Sequence, residues 1–358
     1  MQSEFLLYGA TGYTGELMAR AAVQRGLHPI LAGRNAAALE KLAGELGLTY
    51  RAFGLDRTAA LDDGLDGVHV ALNCAGPFTY TAQKLATACV RVHAHYLDIA
   101  GEVPEFQALQ VYNEVAQENG VMLLPGVGFG IVPSDGLAVH LKMLLPTATQ
   151  LSLAFQALGG VSRGTLLTML KDLPHPGVIR QDGELVPARA GTETRRINFG
   201  QGPLPAVTNP WRGDIFTAYY STGIPTIKAY TVYPAAFRIL MALSIPLKGL
   251  LTSNAFQNFL KRQARNQPGG PSAEERARGK TALWGEVVDA NGRRATSLLT
   301  GPEAYDFTVL TALAVVKRVL DGEVQPGFHT PSQVYGPDLV LSIPGVRRSD
   351  EIQSSSQP

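Results

Sequence analysis

"EFLLYGATGYTGELMARAAVQRG", residues 4 to 26, decides how the chain is read. It opens with a short apolar run of the kind a buried parallel strand shows. "GELMARAAVQRG" then places Leu17, Ala21 and Ala22 at helical spacing. Between the two lie three glycines at intervals of three. Gly9 permits a tight turn, Gly12 lets the backbone approach a ligand, and Gly15 lets the new helix pack closely on the strand. Amides that open a helix have no partner inside it, and the positive end of its dipole favours an anion such as a pyrophosphate. Gly9, Thr11, Gly12, Tyr13, Thr14 and Gly15 are therefore candidate contacts for a dinucleotide. Such turns also arise for packing alone, so the weight falls on the residues that follow.

A second strand, "HPILAGRN", ends where an acidic residue would grip the adenosine ribose of an NAD enzyme. Gly33, Arg34 and Asn35 stand there instead. A carboxylate would repel a 2′-phosphate and a guanidinium can pair with it, so the expected cofactor is NADP(H), with Arg34 and Asn35 at its adenosine end. The competing reading makes Arg34 part of a solvated loop. Strand and helix then alternate through "NAAALEKLAGELG", "TYRAFGL", "GVHVALNCAG", "TAQKLATACVRVHA", "HYLDIAG", "VPEFQALQVYNEVAQENG" and "VMLLPGVG". That rhythm predicts an α/β fold, a Rossmann doubly wound parallel sheet. Ligands collect at the carboxyl ends of such strands, so "NCAGPF", "DIAGE" and "GVGFG" should line the nicotinamide end, with Cys74, Ala75, Gly76, Pro77 and Phe78 as further cofactor contacts.

After about residue 147 the pattern changes to "TQLSLAFQALGGVSRGTLLTML" and a Pro- and Gly-rich stretch from 174 to 210. The expected division is a dinucleotide-binding domain over 1–146, a second, mixed α/β domain for substrate or dimerisation over 147–345, and a disordered tail over 346–358. "WGEVVDANGRRATSLLTG" reads as a hairpin with an Asn-Gly turn, and it leads into an amphipathic helix over 303–320, expected to pack back on the first domain. "RNQPGGPSAEERARG", residues 265 to 279, reads as an exposed loop.

Composition narrows the partners. A formal net charge of +1 gives no general attraction to nucleic acid, and no zinc-finger or RNA-binding signature is present. Two cysteines, Cys74 and Cys89, support neither a disulfide framework nor a Cys-rich metal site. His93 and His95 lack partners at ligand spacing, so no metal is expected. Without a leader of signal-peptide type, the expected location is cytoplasmic. The greasy segment 229–262 is interrupted by Arg238 and Lys248, too short to span a bilayer, and reads as domain core, dimer interface, substrate wall or a surface resting on lipid.

Taken together, "GATGYTG", "AGRN", "NCAGPF", "HYLDIAGE", "GFGIVPSD", "GGVSRGT" and "GFHTPSQVYGPDLVL" resemble the saccharopine dehydrogenase-like NADP-binding family, especially its trans-acting enoyl reductase branch. The resemblance implies NADP-dependent hydride transfer to an imine, enoyl or carbonyl group of a small molecule, which can be apolar or lipid-like. Where the enoyl reductase relatives tend to have "GFDSIPSD", this chain has Gly130 in place of the first acid. Hydride transfer needs a group that polarises the electrophile and supplies a proton. Tyr96, Asp98 and Asp135 are the candidate catalytic residues, with Glu102 and Ser134 nearby in sequence. Asp98 has the alternative of fixing loop amides, and Ser134 or Asp135 that of capping a helix. Ser162 and Arg163 are candidates for a substrate carboxylate or phosphate. Tyr80 and Lys84 mimic a short-chain dehydrogenase pair, but too soon after the Asn-x-Ala-Gly turn. The alternative to an enzyme is a nucleotide-fold scaffold that docks on lipid or a protein without turnover.

Overall fold

A computed structural model describes residues 4–243, 248–253, 256 and 269–353. The chain divides into two compact units, residues 1–132 with 305–335 and residues 133–304 with 336–358.

In the first unit the strands are β1 (Glu4–Tyr8), β2 (Ile30–Gly33), β3 (Tyr50–Ala52), β4 (Val68–Asn73), β5 (His95–Asp98) and β6 (Met122–Leu124). The helices between them are α1 (Tyr13–Gln24), α2 (Ala36–Leu46), α3 (Thr58–Gly64), α4 (Phe78–Arg91), α5 (Val103–Gln110) and α6 (Asn113–Glu118). The sheet order is β6-β5-β4-β1-β2-β3, all parallel, with the two-residue strand Gly327–Phe328 added beside β6. Register explains why the apolar runs choose this arrangement. Leu31, Leu7, Leu72, Leu97 and Leu124 pair in one row across five strands, and each is fully buried. Each such leucine withdraws surface worth roughly 1.5–3 kcal/mol from water. One residue further along, the row reads Ala32, Tyr8, Asn73, Asp98. Consecutive strand residues face opposite sides, so the sheet turns from leucine to polar side chains at its carboxyl edge.

The expected single helix over "VPEFQALQVYNEVAQENG" is two, broken at Val111 and Tyr112. Val111 is 75% exposed, so continuing α5 through it would bury nothing there. The helix Ala304–Leu320 forms as predicted, and its part from Tyr305 onward belongs to the first unit.

The second unit contains α7 (Val132–Leu144, entered from the first unit), β7 (Ala148–Leu158), α8 (Arg163–Asp172), β8 (Gly177–Gln181), β9 (Glu184–Ala188), β10 (Thr194–Asn198), β11 (Pro203–Thr208), α9 (Asp214–Thr222), β12 (Thr226–Thr231), β13 (Lys280–Asp289) and β14 (Arg294–Pro302). Its mixed sheet runs β10-β11-β12-β7-β13-β14, with β8 and β9 paired off β12. The predicted hairpin is β13–β14, with Gly292 at φ +78° in its turn. Gly285 of β13 gives α7 its seat, because a Cβ there would lie 2.5 Å from Leu141 Cδ1.

Three expectations about this half are corrected. The units separate at 132/133, not at 146/147, because α7 carries the chain across before β7 begins. The supposed disordered tail includes a strand, Arg347–Gln353, paired antiparallel with β14 over seven residues. Ser297 donates to Asp350 Oδ1 at 2.7 Å, and His140 of α7 bonds Asp350 Oδ2 at 2.9 Å. Within the supposed loop at 265–279, Ala273–Arg278 is a helix closed by a capping box between Ser272 and Glu275, while 265–268 lie outside the described residues. Segment 229–262 begins in β12, continues as the helix Ala235–Leu243 with Ile239 61% and Leu243 46% exposed, and lies largely outside the described residues from 244 onward. Among the described residues no helix is long and apolar enough to cross a membrane.

Candidate active site

The carboxyl edge of the first unit's sheet gathers the sequence-predicted cofactor residues. Gly9 has φ +83°, and a Cβ on it would stand 2.7 Å from the Ala75 amide nitrogen. On Gly15 a Cβ would stand 2.2 Å from Gly9 O. These two glycines are therefore fixed by packing of the turn against β4's exit and against itself. Gly12 differs. It is exposed at the N-cap of α1, where a glycine has no side chain to close the helix. By contrast, Asn35 Oδ1 accepts the Ala38 amide and closes α2 itself. Asn35, expected at the cofactor, thus serves as the N-cap of α2. The first amides of a helix have no partner within it, and the chemistry of such a start suits phosphate oxygens.

Arg34 lies at the exit of β2, exposed and without a hydrogen bond or ion pair among the described residues. Its charge helps hold the Asp56 carboxyl below its usual range, after the larger effect of Lys84, whose Nζ lies 2.6 Å from Asp56 Oδ1. That pair occupies Lys84, and Tyr80 is 66% exposed. Past β4, Cys74 and Ala75 are partly exposed, Gly76 and Pro77 exposed, and Phe78 opens α4. Burial pushes both the Cys74 and Cys89 thiols well up, so neither is a ready nucleophile. Tyr13 meets Tyr305 edge-on at 5.1 Å between ring centres, and Phe129 lies 5.6 Å from Phe307. These aromatic contacts seat the start of the helix from Tyr305 against α1 and the loop after β6.

Tyr96 and Asp98 are two apart on β5, so they share a face of the sheet, and both are fully buried. The Tyr96 hydroxyl donates to Asp98 Oδ2 at 2.9 Å and accepts from Asn73 Nδ2 at 3.2 Å. Asp98 Oδ1 accepts the Ala100 and Gly126 amides, each at 2.9 Å. Burial raises the Asp98 carboxyl to about 6, against the pull of the two amides and the tyrosine hydroxyl and with a push from Glu105. Burial also holds Tyr96 well above the usual phenol range. His95, which accepts the Met122 amide at Nδ1, is lowered by burial to about 4 and stays neutral. The bonds from Asp98 to the Ala100 and Gly126 amides match the reading in which it fixes loop amides, while Asn73 had no place among the expected site residues. The signal was there in the polar residues that end β4 and β5 after apolar runs.

The raised Asp98 value sets a pH dependence. Between its unfolded value near 4 and about 6, the folded protein keeps a proton that the unfolded chain releases. This group therefore costs stability as pH rises through that window, by at most about 3 kcal/mol. Denaturant melts of the parent and Asp98→Asn at pH 4 to 7 should show their difference changing across the window; a constant difference would rule this out.

In the second unit, Ser134 and Asp135 sit in α7 and reach α9. Ser134 Oγ donates to Asp214 Oδ1, Arg212 Nε donates to Asp214 Oδ2, and Ser221 Oγ donates to Asp135 Oδ1 at 2.5 Å. Ser134, Asp135 and Asp214 are all fully buried. Ser162 is the N-cap of α8, accepting from the Thr165 amide, and Arg163 follows it with an exposed side chain.

Comparison with known proteins bears on the first unit. Residues 5–124 match the family model of the saccharopine dehydrogenase NADP binding domain. That match covers about the first third of the chain. The chain is 30% identical over 145 residues to a trans-acting enoyl reductase of Mycobacterium ulcerans, covering 38% of this chain and 34% of that protein. It is 26% identical over 152 residues to the saccharopine dehydrogenase-like oxidoreductase of Homo sapiens, covering 36% and 35%. The match thus spans about a third of these relatives. In fold the likeness extends further: apo saccharopine dehydrogenase (L-Glu forming) from Saccharomyces cerevisiae aligns with a TM-score of 0.68 at 15% identity, covering 98% of this chain and all of that one. The glycine turn, the glycine N-cap of α1 and Arg34, which makes no ion pair among the described residues, all fit the NADP(H) for which the matched domain model is described.

Proposed function

We propose that this protein is an NADP-dependent oxidoreductase that reduces an imine, enoyl or carbonyl group on an apolar or amino-acid-derived small molecule. The observation that carries the reading is a cation at the exit of β2, with no acid in its place, together with the glycine N-cap of α1 in a domain of NADP-binding type. When bound, NADPH would supply the hydride for such a reduction, with solvent as the source of the accompanying proton.

The chain's part is binding and orientation. The first turn of α1 holds the pyrophosphate, Arg34 pairs with the 2′-phosphate, and the loops after β4, β5 and β6 shape the nicotinamide end. The imine and enoyl choices are supported by the names of the relatives, a saccharopine dehydrogenase-like oxidoreductase and a trans-acting enoyl reductase. Half-exposed Phe129, Tyr13 and Tyr305 suit an apolar group. Free, protonated thiols accord with a reducing, cytoplasmic setting.

NADPH oxidation should be followed against imines, enoyl thioesters and aldehydes, with NADPH binding measured in parallel. Turnover on one class is the expected result. Failure of the protein to bind NADPH at all would remove the reading.

A further inference from the structure

At the carboxyl edge of the first unit, three buried side chains on neighbouring strands form one continuous chain of hydrogen bonds. Asn73 Oδ1 accepts the Ala75 amide at 2.9 Å, and its Nδ2 donates to Thr81 Oγ1 and to Tyr96 Oη, both at 3.2 Å. Thr81 Oγ1 donates onward to Ala75 O at 2.6 Å. Tyr96 passes the chain to Asp98, and Asp98 receives the amides of Ala100 and Gly126. The Asp98 carbonyl also accepts the Val127 amide at 2.7 Å. One group thereby touches the exits of β4, β5 and β6, the three loops assigned to the nicotinamide end.

None of the bonds is incidental to burial. Asn73, Tyr96 and Asp98 are each 0% exposed, so every polar atom among them must be satisfied internally. Gly126 has no room for a side chain: at φ +76°, a Cβ there would lie 2.8 Å from Ile131 Cγ1 and 3.0 Å from Phe106 Cζ. A loop held so tightly at one point takes its orientation from that point. The depth of the tyrosine and the carboxylate also argues against direct contact with a substrate, since all the lone pairs and protons described for them are directed at neighbouring protein groups.

We propose that Asn73, Tyr96 and Asp98 act as positioning residues, a buried clasp that sets the three strand-exit loops as a single unit for the nicotinamide half of the cofactor. Asp98 is its shared acceptor. The inference rests on the NADP reading for its purpose but not for its existence, because the clasp is a property of the protein alone.

The test compares Asp98→Ala with Asp98→Asn. Asparagine keeps an oxygen for the Ala100 and Gly126 amides, and its amide can donate to a Tyr96 hydroxyl that turns to accept. Alanine keeps neither. Amide hydrogen exchange of the free protein should quicken in D98A at residues 74–78, 99–102 and 125–131 together, leaving 9–15 unchanged. NADPH should bind D98A at least about tenfold more weakly, and D98N within about threefold of the parent. Faster exchange confined to 99–102, or D98N as impaired as D98A, would overturn the clasp. If D98A fails to fold, Asn73→Ala is the second variant: it should loosen 74–78, and unchanged exchange there would overturn the proposal equally. If the parent binds no NADPH, the proposed function falls while the exchange comparison still decides the clasp.

Discussion

Replacing Arg34 with alanine is expected to bring the dissociation constants for NADPH and NADH together. The guanidinium stands exposed at the end of β2 and makes no bond to other described groups, so a 2′-phosphate arriving there need displace nothing. A charge-assisted bond of this sort contributes about 1.5–3 kcal/mol, which corresponds to roughly 10- to 150-fold in affinity. The loss should fall on NADPH alone, since NADH has no phosphate at that position. Asp56 sharpens the contrast: its carboxyl is held ionised by Lys84 and, to a smaller extent, by Arg34, and without the arginine it would repel the phosphate. Titration of both nucleotides into the parent and R34A checks this. Equal affinities in the parent would contradict the cofactor preference.

Gly15→Ala is expected to damage the fold itself. A methyl group there would stand 2.2 Å from Gly9 O and 2.9 Å from Ala10 Cα, both backbone atoms in a turn already pressed against Ala75. No rotamer relieves a clash with Cβ, so α1 must move off β1. Overpacking of this severity costs about 3 kcal/mol or more. Gly12→Ala separates the two roles of the turn. Its backbone, φ −79° and ψ 163°, is one that alanine adopts, and the nearest atom is 3.3 Å away. Stability should change by only about 0.5 kcal/mol, while NADPH binding weakens as the methyl group occupies the approach to the amides. Thermal melts with a nucleotide titration on each variant would show it. A G15A protein as stable as the parent would exclude the packing account.

The first unit was legible because its strands are buried on both sides and its turns are marked by glycine. The leucine row across β2, β1, β4, β5 and β6 appears in the sequence as apolar runs, and the parallel sheet buries every one of them. The roles of Tyr96 and Asp98 were not legible. Sequence position puts them at a strand end, which fits chemistry and support equally, and only the three-dimensional pairing with Asn73 and the Gly126 amide separates the two. The C-terminal half hid its boundaries for different reasons. The boundary at 132/133 falls at the start of helix α7, at Pro133, where the chain runs on as helix instead of breaking into a loop. The capping box at Ser272 was masked by the Gly- and Pro-rich residues before it. The strand Arg347–Gln353 reads "RRSDEIQ", with no apolar alternation, because it closes the sheet at its margin and has one side left to solvent.

That last strand has a bearing on handling the protein. Its two arginines, aspartate and glutamate sit where a sheet would otherwise offer unpaired amides and carbonyls to a second molecule. Charges along such a margin discourage strand-to-strand stacking between copies. A truncated chain ending before Arg347 would uncover β14 instead, and clumping in concentrated solution would be the practical cost of trimming what looks, on paper, like a dispensable end.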